Sequence, residues 1–497
     1  MSTHDDPGSP RKNITLILLS LVFLPIDTFF TVCALISCYV SQPLAIRRRE
    51  SRRHELGFSP KTVLVTGVGM TKGLAIARSF YEAGHNVIGA DFEPGGALAC
   101  GHLSKSISKF MPLRPPQSGA DPYIGSLLGI IKEEGVDLWV SCSGVASALE
   151  DGEAKEIIEA RTSCKAIQFD MRTTQMLHEK HSFMEHTKEI GLTVPDTHYI
   201  TSQQAVEGTL SKAPNDRKYI MKPVGMDDAN RGDMTLLSRS TTAESIVHLS
   251  KLSISEKSSW ILQEYIRGPE YCTHALVVRG QVKLFVACPS AELLMHYEAL
   301  PFESKLYQAM LSFTQRYASK GGESFTGHLS FDFMIDQGQM DGPHSIRDGE
   351  EPTLYPIECN PRAHTAVVLF NGTLDMPDAY LSLLDSSSES QLQSNIVTPQ
   401  YADKYFWIGH DFVELLILPI LSVLLMRPRA STSRLPGQSL KFANHLLYWR
   451  DGTFERWDPV PWWMLYHVYW PMRFWQSLMS GKGWSRINVS TTKVFER

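Results

Sequence analysis

The chain has 497 residues, 43% hydrophobic and 20% charged, which is ample for a buried core and long for one domain. A formal net charge of -5 gives no electrostatic ground for nucleic-acid binding. The eight cysteines include no CxxC pair, so dithiol or cysteine-zinc chemistry lacks support and the thiols read as reduced.

Residues 1–13 are polar and read as a disordered N-terminus. Ile14–Val40 is apolar apart from Thr, Ser and one charge, Asp27. A helix needs about 20 apolar residues to cross a bilayer, so this run is long enough. Residues 41–60 read as a basic linker. Arg47, Arg48, Arg49, Arg52 and Arg53 form a cytoplasmic-type flank that places the rest of the chain on the cytosolic side of an anchor. Pro25 and Asp27 also fit a kinked, re-entrant or surface-lying segment, and a cleaved signal peptide is a third reading. Lipid is therefore an expected partner of residues 14–40.

Residues 61–170 read as an α/β domain. Thr62–Gly67 is a buried strand with a Gly turn, Thr71–Ala83 a helix and Asn86–Asp91 a second strand. Gly67, Gly69 and Gly73 give GxGxxxG, with Asp91 ending the second strand. A nicotinamide dinucleotide is one occupant of such a turn, and a purely structural turn is the other. Val136–Val140 is a further strand, and Ser141–Ala148 after it lies where open α/β sheets bind ligands.

Residues 171–400 hold a second region. Arg172–Ile190 reads as one helix. Lys218–Pro223, Trp260–Ile266, Tyr271–Val278, Gln281–Ala287, Gly327–Ile335 and Leu354–Cys359 read as strands, with a hairpin through Arg279-Gly280. Asp332, Glu358 and Asn360 are three hard oxygen donors that suit Mg²⁺ against nucleotide phosphates. Arg362 beside them is a planar cation suited to a phosphoryl group in transfer. Residues 401–497 form a hydrophobic region. Trp449, Trp457, Trp462, Trp463, Trp470 and Trp475 suit either a membrane interface or the core of a small helical domain.

A strand Lys, an earlier Lys, the run Gln263-Glu264-Tyr265-Ile266 with Gly268 and Glu270, a late-strand Asp and Glu358-Cys359-Asn360-Pro361-Arg362 follow one another in order. This set resembles the ATP-grasp ligases. The resemblance implies an α/β (α+β) fold, a Rossmann-like domain followed by an ATP-grasp domain. It implies that Lys180 and Lys222 neutralise ATP phosphates. Gln263, Glu264, Tyr265 and Ile266 would flank adenine, and Glu270 would bind the ribose. Asp332, Glu358 and Asn360 would hold Mg²⁺, or Mn²⁺ in its place, and Arg362 would steady the phosphoryl group. The loop after Lys222 is poorer in Gly than the family's phosphate loop, so Arg231 is assigned as its contact. The Ser330 position holds Arg in some relatives, which leaves Arg362 as the positive charge.

Gly69-Met70-Thr71-Lys72, Lys218–Lys222, Cys272-Thr273-His274, Leu329–Phe333, His364 and Tyr466-His467-Val468 resemble mycosporine-glycine ligases. They are equally similar to fungal ligases of amino-acid-derived alkaloid (isoquinoline-type) pathways. Such enzymes phosphorylate an enol or carboxylate acceptor and couple it to an amino acid or amine. His274, His328 and His364 are candidate proton acceptors from that amine. Substrate contacts are expected on Ser141–Ala148, Asn230–Met234 and Ala287–His296. The rival classes are an NAD(P)-dependent oxidoreductase using the Gly turn and a non-catalytic membrane scaffold.

Overall fold

The computed structural model describes residues 8–142, 144, 147–224, 234–239, 247, 249–290, 295–385, 395–424 and 435–496. The apolar N-terminal run is one helix, α1 (Gly8–Val40), continuous through Pro25. Residues 41–60, expected as a linker, instead contain α2 (Leu44–Arg53). Its arginines are fastened down. Arg49 Nη1 donates to Tyr81 O at 2.7 Å and His85 O at 2.8 Å, and Arg53 Nε to Gly84 O at 2.8 Å.

The βαβ start is present as β1 (Thr62–Thr66), α3 (Thr71–Glu82) and β2 (Asn86–Asp91). With β3 (Lys109–Pro112), β4 (Leu138–Val140) and β5 (Lys165–Ile167) it makes a parallel sheet ordered β3-β2-β1-β4-β5. Strand alternation sends Val63 and Val65 into one core with Ile76 and Phe80, and Leu64 into another with Leu127 and Ile158. The latter two lie on α4 (Ala120–Glu134) and α5 (Ala148–Arg161). Both faces are covered, as parallel sheets require.

The expected single helix over 172–190 is two, α6 (Met171–His178) and α7 (Lys180–Glu189), because Glu179 is extended at φ -78°, ψ 118°. Then come β6 (Thr197–Ile200), α8 (Gln203–Lys212), β7 (Tyr219–Pro223) and β8 (Trp260–Glu264). These strands form an antiparallel sheet ordered β6-β8-β7 over a small core of Ile200, Val206, Leu210, Met221, Trp260 and Leu262. A second antiparallel sheet, ordered β10-β9-β12-β13, is built from β9 (Glu270–Val278), β10 (Gln281–Pro289), β12 (Gly327–Ile335) and β13 (Leu354–Asn360). Helix α9 (Lys305–Lys320) covers one face through Tyr307, Met310, Phe313 and Tyr317. Arg279 (φ 50°) and Gly280 (φ 74°) turn the β9–β10 hairpin with both central residues left-handed, the geometry that matches strand twist.

The C-terminal region is not a separate unit. Strands β14 (Tyr405–Phe406) and β15 (Arg450–Asp451) complete a small sheet with β11 (His296–Tyr297). Trp407 is fully buried and donates to Thr71 Oγ1 at the start of α3. Asp458 is buried, and accepts from Arg78 Nε at 2.9 Å, Ser104 Oγ at 2.6 Å and Lys105 N at 2.8 Å. Of the aromatics that suit either an interface or a core, Tyr469 and Trp470 are buried in the core shared with the first sheet, and Trp463 and Tyr466 pack against it.

Removing one partner of a buried ion pair strands the other charge and costs about 3–5 kcal/mol. Asp458→Ala is expected to destabilise the protein by about that much in chemical denaturation, since Arg78 is buried against it. A loss below about 1 kcal/mol would contradict the pair's role in fixing the C-terminal region.

Candidate active site

Asp332 on β12 and Glu358 on β13 are register partners, so their carboxylates leave the same face of the sheet. Asn360 is two residues beyond Glu358 and shares that face. Its Nδ2 donates to Asp332 Oδ2 at 3.2 Å, and its Oδ1 accepts from Arg362 Nη1. A register shift interrupts the β12–β13 ladder between Asp332 and Phe333, the kind of irregularity that re-aims side chains beside a site. Three hard oxygen donors side by side fit a magnesium ion, with the remaining positions left to water and phosphate.

The cations come from three parts of the chain. Helices α6 and α7 pack on β13, and their break at Glu179 sets Lys180 at the start of α7. Lys180 Nζ lies 3.5 Å from Glu358 Oε2. Arg362 stands just past the end of β13. Lys72, at the N-terminal turn of α3, is buried and donates to Ala363 O at 3.0 Å. Desolvation, then the Arg362 charge, pulls the Lys72 ammonium down to about 7.

On the neighbouring small sheet, Lys222 Nζ donates to Gln263 Oε1 at 2.7 Å, and Gln263 Nε2 to Thr197 Oγ1 at 3.3 Å. Glu264 points to the opposite face, where Arg217 Nε lies 3.1 Å from its carboxylate and Asp196 N donates to it at 3.1 Å. The strand stops there. Tyr265 N–H donates to Lys218 O at 2.8 Å, and Ile266 is buried. Glu270 is exposed at the start of β9 and accepts from Ser290 Oγ at 2.8 Å. Arg231 lies outside the described residues, as do 143, 145, 146, 230–233 and 291–294 of the expected substrate segments.

The three candidate histidines meet behind Arg362. His364 N–H donates to His274 Nδ1 at 3.3 Å, and the His274 and His328 rings are 5.4 Å apart. His364 Nδ1 accepts from Ala366 N at 3.2 Å, and His328 Nε2 is 2.9 Å from Tyr380 OH. Burial pushes all three down: His274 well below its usual value, His328 and His364 to about 3. The Nδ1 lone pairs of His274 and His364 are taken by backbone amides. Groups so weakly basic do not draw a proton from an amine near neutral pH. With their ring nitrogens engaged in this way, the three histidines read as neutral structural residues, His274 and His328 buried and His364 half-buried, and not as proton acceptors.

Two neighbours escaped the sequence reading. His178, at the end of α6, is pulled down by burial and then by the Arg362 charge, with Glu358 opposing. It stands at the cluster because the helix breaks after it, and the periodicity of 172–190 hides that break. Cys272 Sγ, an Asp332 carboxylate oxygen and a His364 ring nitrogen all lie within 4.8 Å of one another. The β9–β12 register, Cys272 opposite Asp332, brings them together.

The dinucleotide reading of the Gly turn fails on geometry. Gly69 N–H donates to Asp91 Oδ2 at 2.5 Å, so the carboxylate that would hold a ribose is turned onto the turn itself. Thr71 N–H, at the helix N-terminus where a pyrophosphate would sit, donates to Ser490 O at 2.9 Å. Gly67 and Gly73 are required by close packing instead. A Cβ on Gly73 would lie 2.3 Å from Gly67 O, and one on Gly67 2.7 Å from Cys142 O.

No family model matches the chain, and no curated protein matches it. Among solved structures it is similar to an L-amino acid ligase from Bacillus licheniformis, at 14% identity over 68% of this chain and 78% of that one, TM-score 0.45. It is also similar to N5-carboxyaminoimidazole synthetase from Staphylococcus aureus complexed with ADP, at 14% identity over 73% and 86%, TM-score 0.49. A third is the biotin carboxylase–β-γ-ATP complex from Campylobacter jejuni, at 14% identity over 68% and 74%, TM-score 0.48. At these values the likenesses fix neither activity nor substrate.

Lys72 gives the site a pH signature. Its folded value, about 7, lies below the unfolded value of 10.5. Between those pH values the unfolded chain binds the extra proton, so stability rises with pH across the window and the cost is fully present below it. Lys72→Met is expected to flatten the stability profile between about pH 7 and 10, measured by denaturation at several pH values. An unchanged profile would contradict the burial of this charge.

Proposed function

We propose that the chain is an ATP-grasp ligase that uses Mg-ATP to join an amine to an activated oxygen acid. The observation that carries this reading is the cluster of Asp332, Glu358 and Asn360 on one sheet face, flanked by Lys180 and Arg362. A further cation, Lys222 on β7, stands on the adjoining sheet in the order the family requires. A scaffold that had lost catalysis would have no use for oxygen donors and cations held together in this way.

Asp332, Glu358 and Asn360 would hold Mg²⁺, which would supply charge neutralisation for the nucleotide phosphates. Lys222 and Lys180 would draw the phosphates between the two antiparallel sheets. The Tyr265 amide is engaged by Lys218 O, so the adenine edge falls to the Tyr265 carbonyl and the Ile266 amide. Glu270, exposed, suits the ribose hydroxyls. The γ-phosphoryl group leaves ADP and bonds to an enol or carboxylate oxygen of the acceptor, with Arg362 matching the charge in transfer. The amine nitrogen then bonds to the adjacent carbon, the carbon–oxygen bond breaks, and phosphate departs with that oxygen. The departing phosphate is the base at hand for the amine proton, since the three histidines are not.

The acceptor is read as a small enol or carboxylic acid of specialised metabolism, of the mycosporine-glycine kind, with an alkaloid-type amino acid as the alternative. The catalytic domains are read as facing the cytosol. ADP release over a panel of acceptors crossed with amino acids and amines tests the reading, and turnover is expected only when both partners are present. Glu358→Ala is expected to lower that turnover by at least about 100-fold, about 2.7 kcal/mol of barrier, with the thermal melt preserved. Full turnover in this variant would refute the metal assignment.

A further inference from the structure

Over its central span, residues 18–36, helix α1 is amphipathic in an inverted sense: Ser20, Asp27, Thr28 and Thr31 lie on the protein side and the exposed positions are apolar. Asn13 Oδ1 accepts from Trp484 Nε1 at 2.7 Å, and Ser20 Oγ donates to Tyr466 O at 2.9 Å. Asp27 Oδ2 is 2.9 Å from His467 Nε2, and Thr28 Oγ1 accepts from Trp463 Nε1 at 2.9 Å. Cys38 Sγ lies 3.1 Å from Arg456 O. These contacts run antiparallel along segment 456–484 from one end of α1 to the other. On the outward side Leu18 is 56% exposed, Val22 65%, Phe29 64% and Ile36 57%. No exposed residue of α1 between Leu18 and Ile36 carries a hydroxyl, an amide or a charge.

In water this arrangement is upside down, because apolar surface is stabilised by leaving water and polar groups are not. It is the arrangement a hydrocarbon phase selects, where every polar group must be satisfied within the protein. The apolar surface continues beyond α1. Phe23 meets Phe412 at 5.0 Å between ring centroids, and Phe412 meets Phe442 at 5.9 Å. Exposed Leu418 and Leu421, in the helical stretch 412–424, and Leu440 and Leu447, on the helix Leu435–Tyr448, follow.

The backing layer decides how the helix lies. Segment 456–484 is itself packed on the first domain. Trp457 stacks on Tyr81 at 5.2 Å, and Gln476 Nε2 donates to Gly95 O at 3.0 Å. The 33 residues of α1 span about 50 Å at about 1.5 Å per residue, against a hydrocarbon thickness of about 30 Å. To cross a bilayer α1 would have to part from its partners and carry Asp27 unpaired into lipid, or drag the α/β domain in with it.

We propose that α1, with the helices of 412–424 and 435–448, forms a monotopic face that docks on an anionic phospholipid leaflet, α1 lying in the membrane plane. Exposed Arg11, Lys12, Arg47 and Lys441 on these and adjoining segments supply the countercharge. Exposed Tyr39, Tyr448 and Trp475 supply aromatic groups of the kind that settle at headgroup level. A second copy of the chain fits less well. Protein interfaces carry about one hydrogen bond per 100–200 Å², and the outward face of α1 between Leu18 and Ile36 has no hydroxyl, amide or charge to make one. This inference stands apart from the ligase reading.

The test has two arms. Full-length protein is floated with vesicles of neutral phosphatidylcholine and with vesicles containing about 30% phosphatidylserine, alongside the double variant Phe29→Asp, Phe30→Asp. Flotation is expected on the anionic vesicles, reduced at least 10-fold in the variant, whose thermal melt is unchanged because both rings face out. Failure of the wild type to float, equal flotation of the variant, or self-association lost in the variant without vesicle binding would each overturn the proposal. In the second arm the chain, carrying an N-terminal epitope, is synthesised with sealed microsomes and treated with protease. Cleavage of the epitope from outside, on the same side as the α/β domain, is expected. A protected epitope would show that α1 spans, and would overturn the in-plane assignment.

Discussion

The contact on which the site depends is the one between Lys72 Nζ and Ala363 O. It ties the N-terminal turn of α3, in the parallel sheet, to the stretch where β13 ends. That stretch, Asn360 to His364, holds the amide beside Asp332, the guanidinium and the histidine contact with β9. Through one buried hydrogen bond the first domain sets where the C-terminal end of the oxygen-donor cluster ends up. The cost is a buried cation beside a second cation, which is why Lys72 titrates near neutrality.

The electrostatics follow from that placement. Asp332 and Glu358 would repel each other across a register pair. Lys180, from the helix break, and Arg362, from the strand's end, offset that repulsion from opposite sides of the sequence. A dication would do the same more strongly, and phosphates would then take over Lys180 and Arg362. On the proposed reading, charges that already bind one another are held close to where a nucleotide would need them, which would lower the ordering cost on binding.

Much of this was legible in the chain. The β1–α3–β2 unit follows from a β-branched run, a Gly turn and an apolar helix face. The hairpin at Arg279-Gly280 follows from turn chemistry, and the strands that carry Asp332 and Glu358 from their apolar runs, though not the register that pairs them. What stayed hidden depends on contacts distant in sequence. Nothing in the sequence marks Arg78 as buried, and only Asp458, 380 positions on, shows why it is. His178 reads as helical until Glu179 breaks the helix. The tryptophans of 449–475 leave belt and core both open because composition does not separate an aromatic core from an aromatic interface. The dinucleotide turn was misleading for a similar reason: GxGxxxG reports a tight approach of backbone, and here the approach is by Cys142 and by the Gly67 carbonyl to Gly73. In α1, composition alone suggests a span. Only the partners of Asn13, Asp27 and Thr28 show which side of the helix faces the protein.

The most direct test of the central claim is a calorimetric titration of the protein with a non-hydrolysable ATP analogue, with and without Mg²⁺, since it needs no knowledge of acceptor or amine. The account predicts binding that tightens at least about 10-fold with the metal, equivalent to about 1.4 kcal/mol. It also predicts that this gain disappears in Asp332→Asn. No nucleotide binding, or binding indifferent to both metal and Asp332, would contradict it.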